Sequence, residues 1–175
     1  MVLKNGTLRV INRMNESEST LEQSLHLALK EAESEFDFAP LDVKEKEIET
    51  FCSIINDFNP VYHDSEVAKL SGFKGKIIPP GYIMSLATQI IYKIFIKIGP
   101  LFASKIRGVI HVSSEVEYFK PMPIENTYKI SIKTSVPKKK EGSKGSYYKI
   151  FFKTFVYDDI KEITAIDNHL FFLKI

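Results

Sequence analysis

Residues 57–63, Asp-Phe-Asn-Pro-Val-Tyr-His, set a carboxylate, an amide, a proline, a phenol and an imidazole in one short stretch. A packed core segment has no use for so many polar groups in a row. Proton transfer beside a carbonyl does. A carboxylate and an imidazole held side by side have pKa values that bracket neutrality, so one can take a proton while the other gives one. Asp57 and His63 are the candidate catalytic pair. Asn59 can hold the loop by bonding backbone groups or the carboxylate, and Pro60 stiffens it. Further on, Ile77-Ile78-Pro79-Pro80-Gly81 leads into a long apolar run from Tyr82. A helix opening there would present unpaired N–H groups at its positive end, which suits a developing oxyanion. Gly81 and Tyr82 are the candidate donors. Glycine lets a substrate carbonyl approach the backbone, and Pro80 fits a first helical turn because its missing N–H would have had no partner. The same residues have a plainer account: Asp57 and Asn59 as turn and cap residues, Tyr62 as a packed ring, His63 as a surface side chain beside Asp64. Both accounts are open on the residues alone.

These groups need elements to hold them. Asp42 is expected to open a helix, with Ile48, Phe51, Cys52 and Ile55 on one face and Cys52 buried. Asn56-Asp57 and Asn59-Pro60 end it in a turn-rich loop. Asp64 caps a short helix running to Leu70, which Gly72 stops. From Tyr82 the chain is apolar nearly all round, the pattern of a buried helix. Upstream, residues 1–16 read as an arm or short strand. Ser19 and Glu22 have capping-box spacing, and Leu21, Leu25, Ala28, Leu29 and Ala32 share one helical face. Downstream the period changes to two. Val112 to Tyr118, Tyr128 to Val136 and Tyr148 to Val156 alternate, and a last strand covers about Glu162 to Leu173. KKKEGSKG (138–145) is expected to be a solvated hairpin tip, or alternatively a place where lysines meet coenzyme A phosphates. The class is α+β: one buried helix and an antiparallel sheet.

The chain has 175 residues, 24 basic against 22 acidic, and one cysteine. That length fits one domain (36–175) preceded by an N-terminal arm and helix (1–35). The near-balanced charge gives no reason to expect a nucleic acid partner. Cys52 alone excludes an internal disulfide and points to a reducing, cytoplasmic compartment. The first twenty residues lack the apolar core of a secretory leader. Ser85, Thr88, Gln89, Lys93 and Lys97 interrupt the greasiest run, where a membrane span needs roughly 20 apolar residues. His26, His111 and His169 have no metal-site spacing, so no metal is expected. No glycine-rich phosphate loop or G-x-S-x-G elbow marks nucleotide or serine-hydrolase chemistry.

The frame Asp57-Phe58-Asn59-Pro60-Val61-Tyr62, followed by His63-Asp64, Ala68 and Gly72-Phe73, resembles the hydratase motif of the MaoC-like (R)-specific enoyl-thioester hydratases and 3-hydroxyacyl dehydratases, notably the N-terminal dehydratase type. Ile78 to Gly81 and the stretch 111–123, HVSSEVEYFKPMP, are similar to the family's segments before and after its central helix. The resemblance covers about residues 40–175. It implies a hot-dog fold, an antiparallel sheet wrapped round a central buried helix, here with an N-terminal helical extension. It also implies a hydro-lyase: reversible hydration of a trans-2-enoyl thioester to the (R)-3-hydroxyacyl thioester on coenzyme A or acyl carrier protein. No cofactor is implied. The expected assembly is a homodimer, or a heteromer with another hot-dog subunit. Asp57 and His63 would form the dyad, Gly81 and Tyr82 the oxyanion site, with Asn59, Pro60, Tyr62 and Pro80 supporting or binding substrate. The family's histidine falls at Tyr62, one residue before His63. On a helical turn that offset is a rotation of roughly 100°, and in extended chain a change of face. Either a local bulge delivers His63 to the site, or Tyr62 replaces it as a donor of high intrinsic pKa. Certain members of the group with this tyrosine are partner subunits without a working dyad. A thioesterase in which Asp57 activates water is a third reading.

Overall fold

The computed structural model describes residues 21–175. Ser19 of the expected capping box and the arm over 1–16 lie outside the described residues. The elements follow as α1 (Leu21–Ser34), β1 (Ala39–Leu41), α2 (Glu45–Ile55), a 3₁₀ turn (Pro60–Tyr62), α3 (Ser65–Leu70), α4 (Pro80–Phe102), β2 (Gly108–Tyr118), β3 (Tyr128–Thr134), β4 (Lys138–Gly142), β5 (Gly145–Tyr157) and β6 (Ile163–Lys174).

The apolar stripe of α1 becomes a buried face: Leu25, Ala28, Leu29 and Ala32 turn inward and pack towards α4 and β3. Helix α2 begins at Glu45 rather than at Asp42. Asp42 pairs instead with Lys44 at 3.0 Å, and Lys44 stands at the cap position with no side-chain cap bond. Asp64 caps α3 as its sequence predicts, accepting the Glu66 and Val67 N–H groups at 2.8 and 3.1 Å. Gly72 follows in the left-handed region at φ 89°, where only glycine sits without strain.

Helix α4 rises about 35 Å at 1.5 Å per residue. Its buried residues include Ile83, Ala87, Ile91, Ile94, Phe95 and Ile98. The Phe95 ring meets Phe152 and Phe171 edge-on at 5.2 and 5.1 Å, tying the helix to β5 and β6. Burying each such side chain contributes roughly 1.5–3 kcal/mol. The strands form one antiparallel sheet in the order β1-β3-β5-β6-β2. A sheet enclosing a long apolar helix is the α+β hot-dog architecture expected of the sequence.

Two features of the sheet depart from expectation. KKKEGSKG is mostly strand, with β4 running through Lys138–Gly142 and only Ser143-Lys144 left to turn. The reason is length: β5 outreaches β3, pairing it through Phe152–Tyr157 and offering Gly145–Lys149 to β4. The second is a bulge in β2. His111 faces Phe171 and Ser113 faces Leu170, so Val112 has no partner in the ladder. Among the described residues no helix is long and apolar enough to cross a membrane.

Candidate active site

Helix α2 ends on Asn56, whose backbone lies in the left-handed region at φ 54°. The Asn56 and Asp57 N–H groups reach back to the Ser53 and Cys52 carbonyls at 3.4 and 2.9 Å, which satisfies last-turn acceptors and swings the chain into the loop. There the polar side chains bond the backbone. Asp57 Oδ1 accepts the Asn59 N–H at 3.2 Å, and Asn59 Oδ1 accepts the Val61 N–H at 3.3 Å. Two successive turns of this kind lead into the 3₁₀ turn, which Pro60 opens.

His63 is exposed, and its Nε2 lies 3.3 Å from the Asp57 backbone carbonyl. A carbonyl only accepts, so that nitrogen carries the hydrogen. The loop therefore joins His63 to the main chain of Asp57, while the Asp57 carboxylate is turned towards Asn59. Tyr62, one residue earlier, is half-buried and packs against the core. It lines a cavity of about 390 Å³ with Phe73, Ile77, Pro80, Tyr118 and Met122, a lining that includes neither Asp57 nor His63. Burial pushes the Tyr62 phenol above its ordinary pKa, and the Asp57 and Cys52 charges add to the shift. At neutral pH this hydroxyl is protonated and can donate.

The start of α4 forms the facing wall. Ile77 N–H reaches the Val61 carbonyl at 3.3 Å and Ile78 N–H the Met122 carbonyl at 2.8 Å, which fixes the approach to Pro80. The Tyr118 hydroxyl donates to the Pro80 carbonyl. Of the two amides expected to serve an oxyanion, Tyr82 N–H already donates to the Pro79 carbonyl at 3.0 Å. Gly81 N–H has no acceptor among the described residues. The buried Tyr82 ring meets Phe51 edge-on at 5.6 Å, and its hydroxyl donates to Glu47 Oε2 at 3.0 Å. The Tyr82 ring and hydroxyl thus pack and anchor the start of α4, and the Gly81 N–H is the one of the two amides that is not already bonded.

A second polar group escapes sequence reasoning. Ser114 Oγ lies 2.8 Å from His111 Nε2 and 2.9 Å from His169 Nδ1, and His169 Nε2 lies 2.9 Å from Asp167 Oδ2. Asp167 and His169 are fully buried. Read one at a time, these histidines show no pattern, because the ladder and its bulge bring together residues 58 positions apart. One signal is visible: Asp167 and His169 share the parity of Phe171 and Leu173, which puts polar residues on the buried side of β6. Among the described residues no three His, Cys, Asp or Glu side chains converge as metal ligands would.

A family described as "FAS1-like, dehydratase domain region" matches residues 34–160. Among solved structures, the chain is similar to the ChsH1-ChsH2 complex from Mycobacterium tuberculosis, at 20% identity and TM-score 0.58, over 83% of this chain and 90% of that one. It is similar to the (R)-hydratase from A. caviae involved in PHA biosynthesis, at 14% identity and TM-score 0.58, over 75% and 89%. It is also similar to the C-terminally truncated HadBC (3R-hydroxyacyl-ACP dehydratase) complex from Mycobacterium tuberculosis, at 13% identity and TM-score 0.61, over 78% and 97%. At these identities the likeness is one of fold. No curated protein matches the chain.

Proposed function

The chain belongs to the MaoC-like hot-dog family through its FAS1-like dehydratase region, and from that premise we propose that it catalyses the reversible hydration of trans-2-enoyl thioesters to (R)-3-hydroxyacyl thioesters. The observation that carries this reading is that the motif loop and the start of α4, through Tyr62 and Pro80, wall one mostly apolar cavity. That juxtaposition suits a thioester whose carbonyl reaches Gly81 N–H while its acyl chain lies against Phe73, Ile77 and Met122.

In this reading Asp57 and His63 handle the C2 proton and the C3 hydroxyl. The imidazole leaves the Asp57 carbonyl for the carboxylate when substrate enters. Asn59 and Pro60 hold the loop, Tyr62 and Pro80 shape the acyl site, and no cofactor is required. The thioester is carried by coenzyme A or by acyl carrier protein. Strand β2 ends the sheet, an open edge suited to pairing with a second hot-dog unit, either a copy of this chain or a different subunit.

A second reading has its own observation: the cavity receives a phenol where the family motif has an imidazole. A chain of that kind would shape the acyl site of a two-subunit dehydratase while its partner supplies the acid–base pair. Purified protein with crotonyl-CoA separates the readings. Loss of enoyl absorbance without free thiol supports the hydro-lyase, whereas free thiol points to a thioesterase. No turnover of short- or long-chain enoyl-CoA by the chain alone overturns the hydro-lyase reading and leaves the partner subunit.

A further inference from the structure

We propose that Ser114 is a nucleophile in a second cavity, activated by His169 with Asp167 behind it, and that it takes acyl groups from esters or thioesters. This stands apart from the hydration reading, since it uses none of the loop residues. The cavity, of about 370 Å³, opens between α4 and β2 and is lined by Ser85, Thr88, Gln89, Tyr92, His111 and Ser114. Ser114 is half-buried and reachable from it, while His169 and Asp167 lie fully buried behind.

The directions of the protons follow from the partners. His111 Nε2 lies 3.2 Å from the Ser113 carbonyl, which only accepts, so that nitrogen carries its hydrogen. Ser114 Oγ, 2.8 Å from the same nitrogen, can then only accept from it. Its own hydrogen is left for His169 Nδ1 at 2.9 Å. His169 in turn carries its hydrogen on Nε2, which lies 2.9 Å from Asp167 Oδ2 without the alignment of a hydrogen bond. Hydroxyl, imidazole and carboxylate thus stand in the order that activates a nucleophile, with the ring turned end for end. Such a constellation is recognised by its geometry, so the missing elbow motif does not count against it.

Two further observations point the same way. Burial holds the His111 pKa below its ordinary value, and His169 adds to the effect, so His111 is a neutral donor near pH 7. Asp167 is 0% exposed, yet neither carboxylate oxygen receives a hydrogen bond: the His169 nitrogen is close enough for an ion pair but not aligned for one. A buried carboxylate left this way is costly. The cost falls when His169 becomes positive, which happens when the Ser114 proton arrives.

In the reaction Ser114 Oγ bonds to the acyl carbon as its proton passes to His169 Nδ1. The bond from carbon to the leaving sulfur or oxygen breaks, and His169 returns the proton to that atom. Water then attacks the acyl-serine and gives a proton to His169. The ester bond to Ser114 breaks and Oγ recovers that proton. The products are a carboxylic acid and a thiol or alcohol. The Ser85 hydroxyl and the Gln89 amide are donors in the same cavity for the transient oxyanion.

A fluorophosphonate probe tests this without any assumption about the natural substrate. Intact and peptide mass spectrometry should find one adduct on wild-type protein, at Ser114, and none on Ser114→Ala. His169→Gln should slow labelling roughly 100-fold or more. Asp167→Asn should shift the pH profile of labelling, as expected of a positioning residue. A folded wild-type protein that stays unlabelled, or is labelled elsewhere, overturns the proposal even if a variant fails to fold. Enoyl loss from crotonyl-CoA without free thiol bears on neither outcome, and free thiol counts for Ser114 only if Ser114→Ala abolishes it.

Discussion

Glu33 on α1 and Thr134 on β3 meet at a single oxygen: Glu33 Oε2 accepts the Thr134 N–H at 2.7 Å and its hydroxyl at 2.8 Å. Lys30 Nζ reaches the same carboxylate at 2.9 Å. The Glu33 side chain is only 8% exposed, so these bonds fasten the N-terminal helix to the sheet out of reach of water.

Glu33→Gln should lower stability by about 1–3 kcal/mol in urea unfolding, because the amide oxygen can keep the Thr134 donors but lacks the charge that strengthens those bonds and pairs with Lys30. Burial alone would raise the Glu33 pKa, but the Lys30 and Thr134 bonds outweigh it and hold the carboxyl below its ordinary 4.5. The stabilisation is therefore full above about pH 4.5 and is lost as the pH falls through the lower, folded-state value. In Glu33→Gln that part of the acid dependence should disappear. An unchanged acid limb would show that Glu33 does not couple folding to protons.

Gly81→Ala should destabilise mildly, by up to about 1 kcal/mol, because a Cβ there would come 3.1 Å from Phe51 Cζ and the ring must shift. Shortening the obstacle in Gly81→Ala/Phe51→Leu should relieve the steric part. A double-mutant cycle of thermal melts reads the coupling, and strictly additive losses would mean that the two positions do not touch.

The Cys52 thiol should be silent in the native protein. It is fully buried, and burial pushes its pKa up, with the Asp57 charge adding. At pH 8 a disulfide reagent should titrate no thiol until denaturant is added, then one per chain. Prompt native labelling would mean that α2 opens locally.

At the motif, His63→Ala should cost roughly 10²–10⁴-fold in crotonyl-CoA hydration if His63 is the proton carrier. Tyr62→His, which sends an imidazole into the cavity, should raise the rate. Full activity in His63→Ala with loss in Tyr62→Phe would transfer the donor role to the phenol.

Much of this architecture can be read from the residues. Tyr128, Ile130 and Ile132 alternate with Lys129, Ser131 and Lys133, the period of a strand, and the three apolar side chains are buried while both lysines are exposed. The unbroken apolar run after Pro80 likewise forces a buried helix. Lys138 to Glu141 carry no such pattern, since a strand exposed on both faces needs only a neighbour with free backbone groups, and β5 provides it. The motif loop is legible in its turns, where Asp57, Asn59 and Asp64 bond the nearest amides. The direction of the His63 ring is not, because one residue of offset decides it. The meeting of His111 with His169 depends on strand pairing and a bulge, and neither is local.

Val112 is a spare residue on the outer strand. Losing it would even out that strand while His111 still faced Phe171 and Ser114 still faced His169, so the edge tolerates that one deletion. An added residue there is another matter: the same kink must swallow it, or hydroxyl and imidazole part without either being altered.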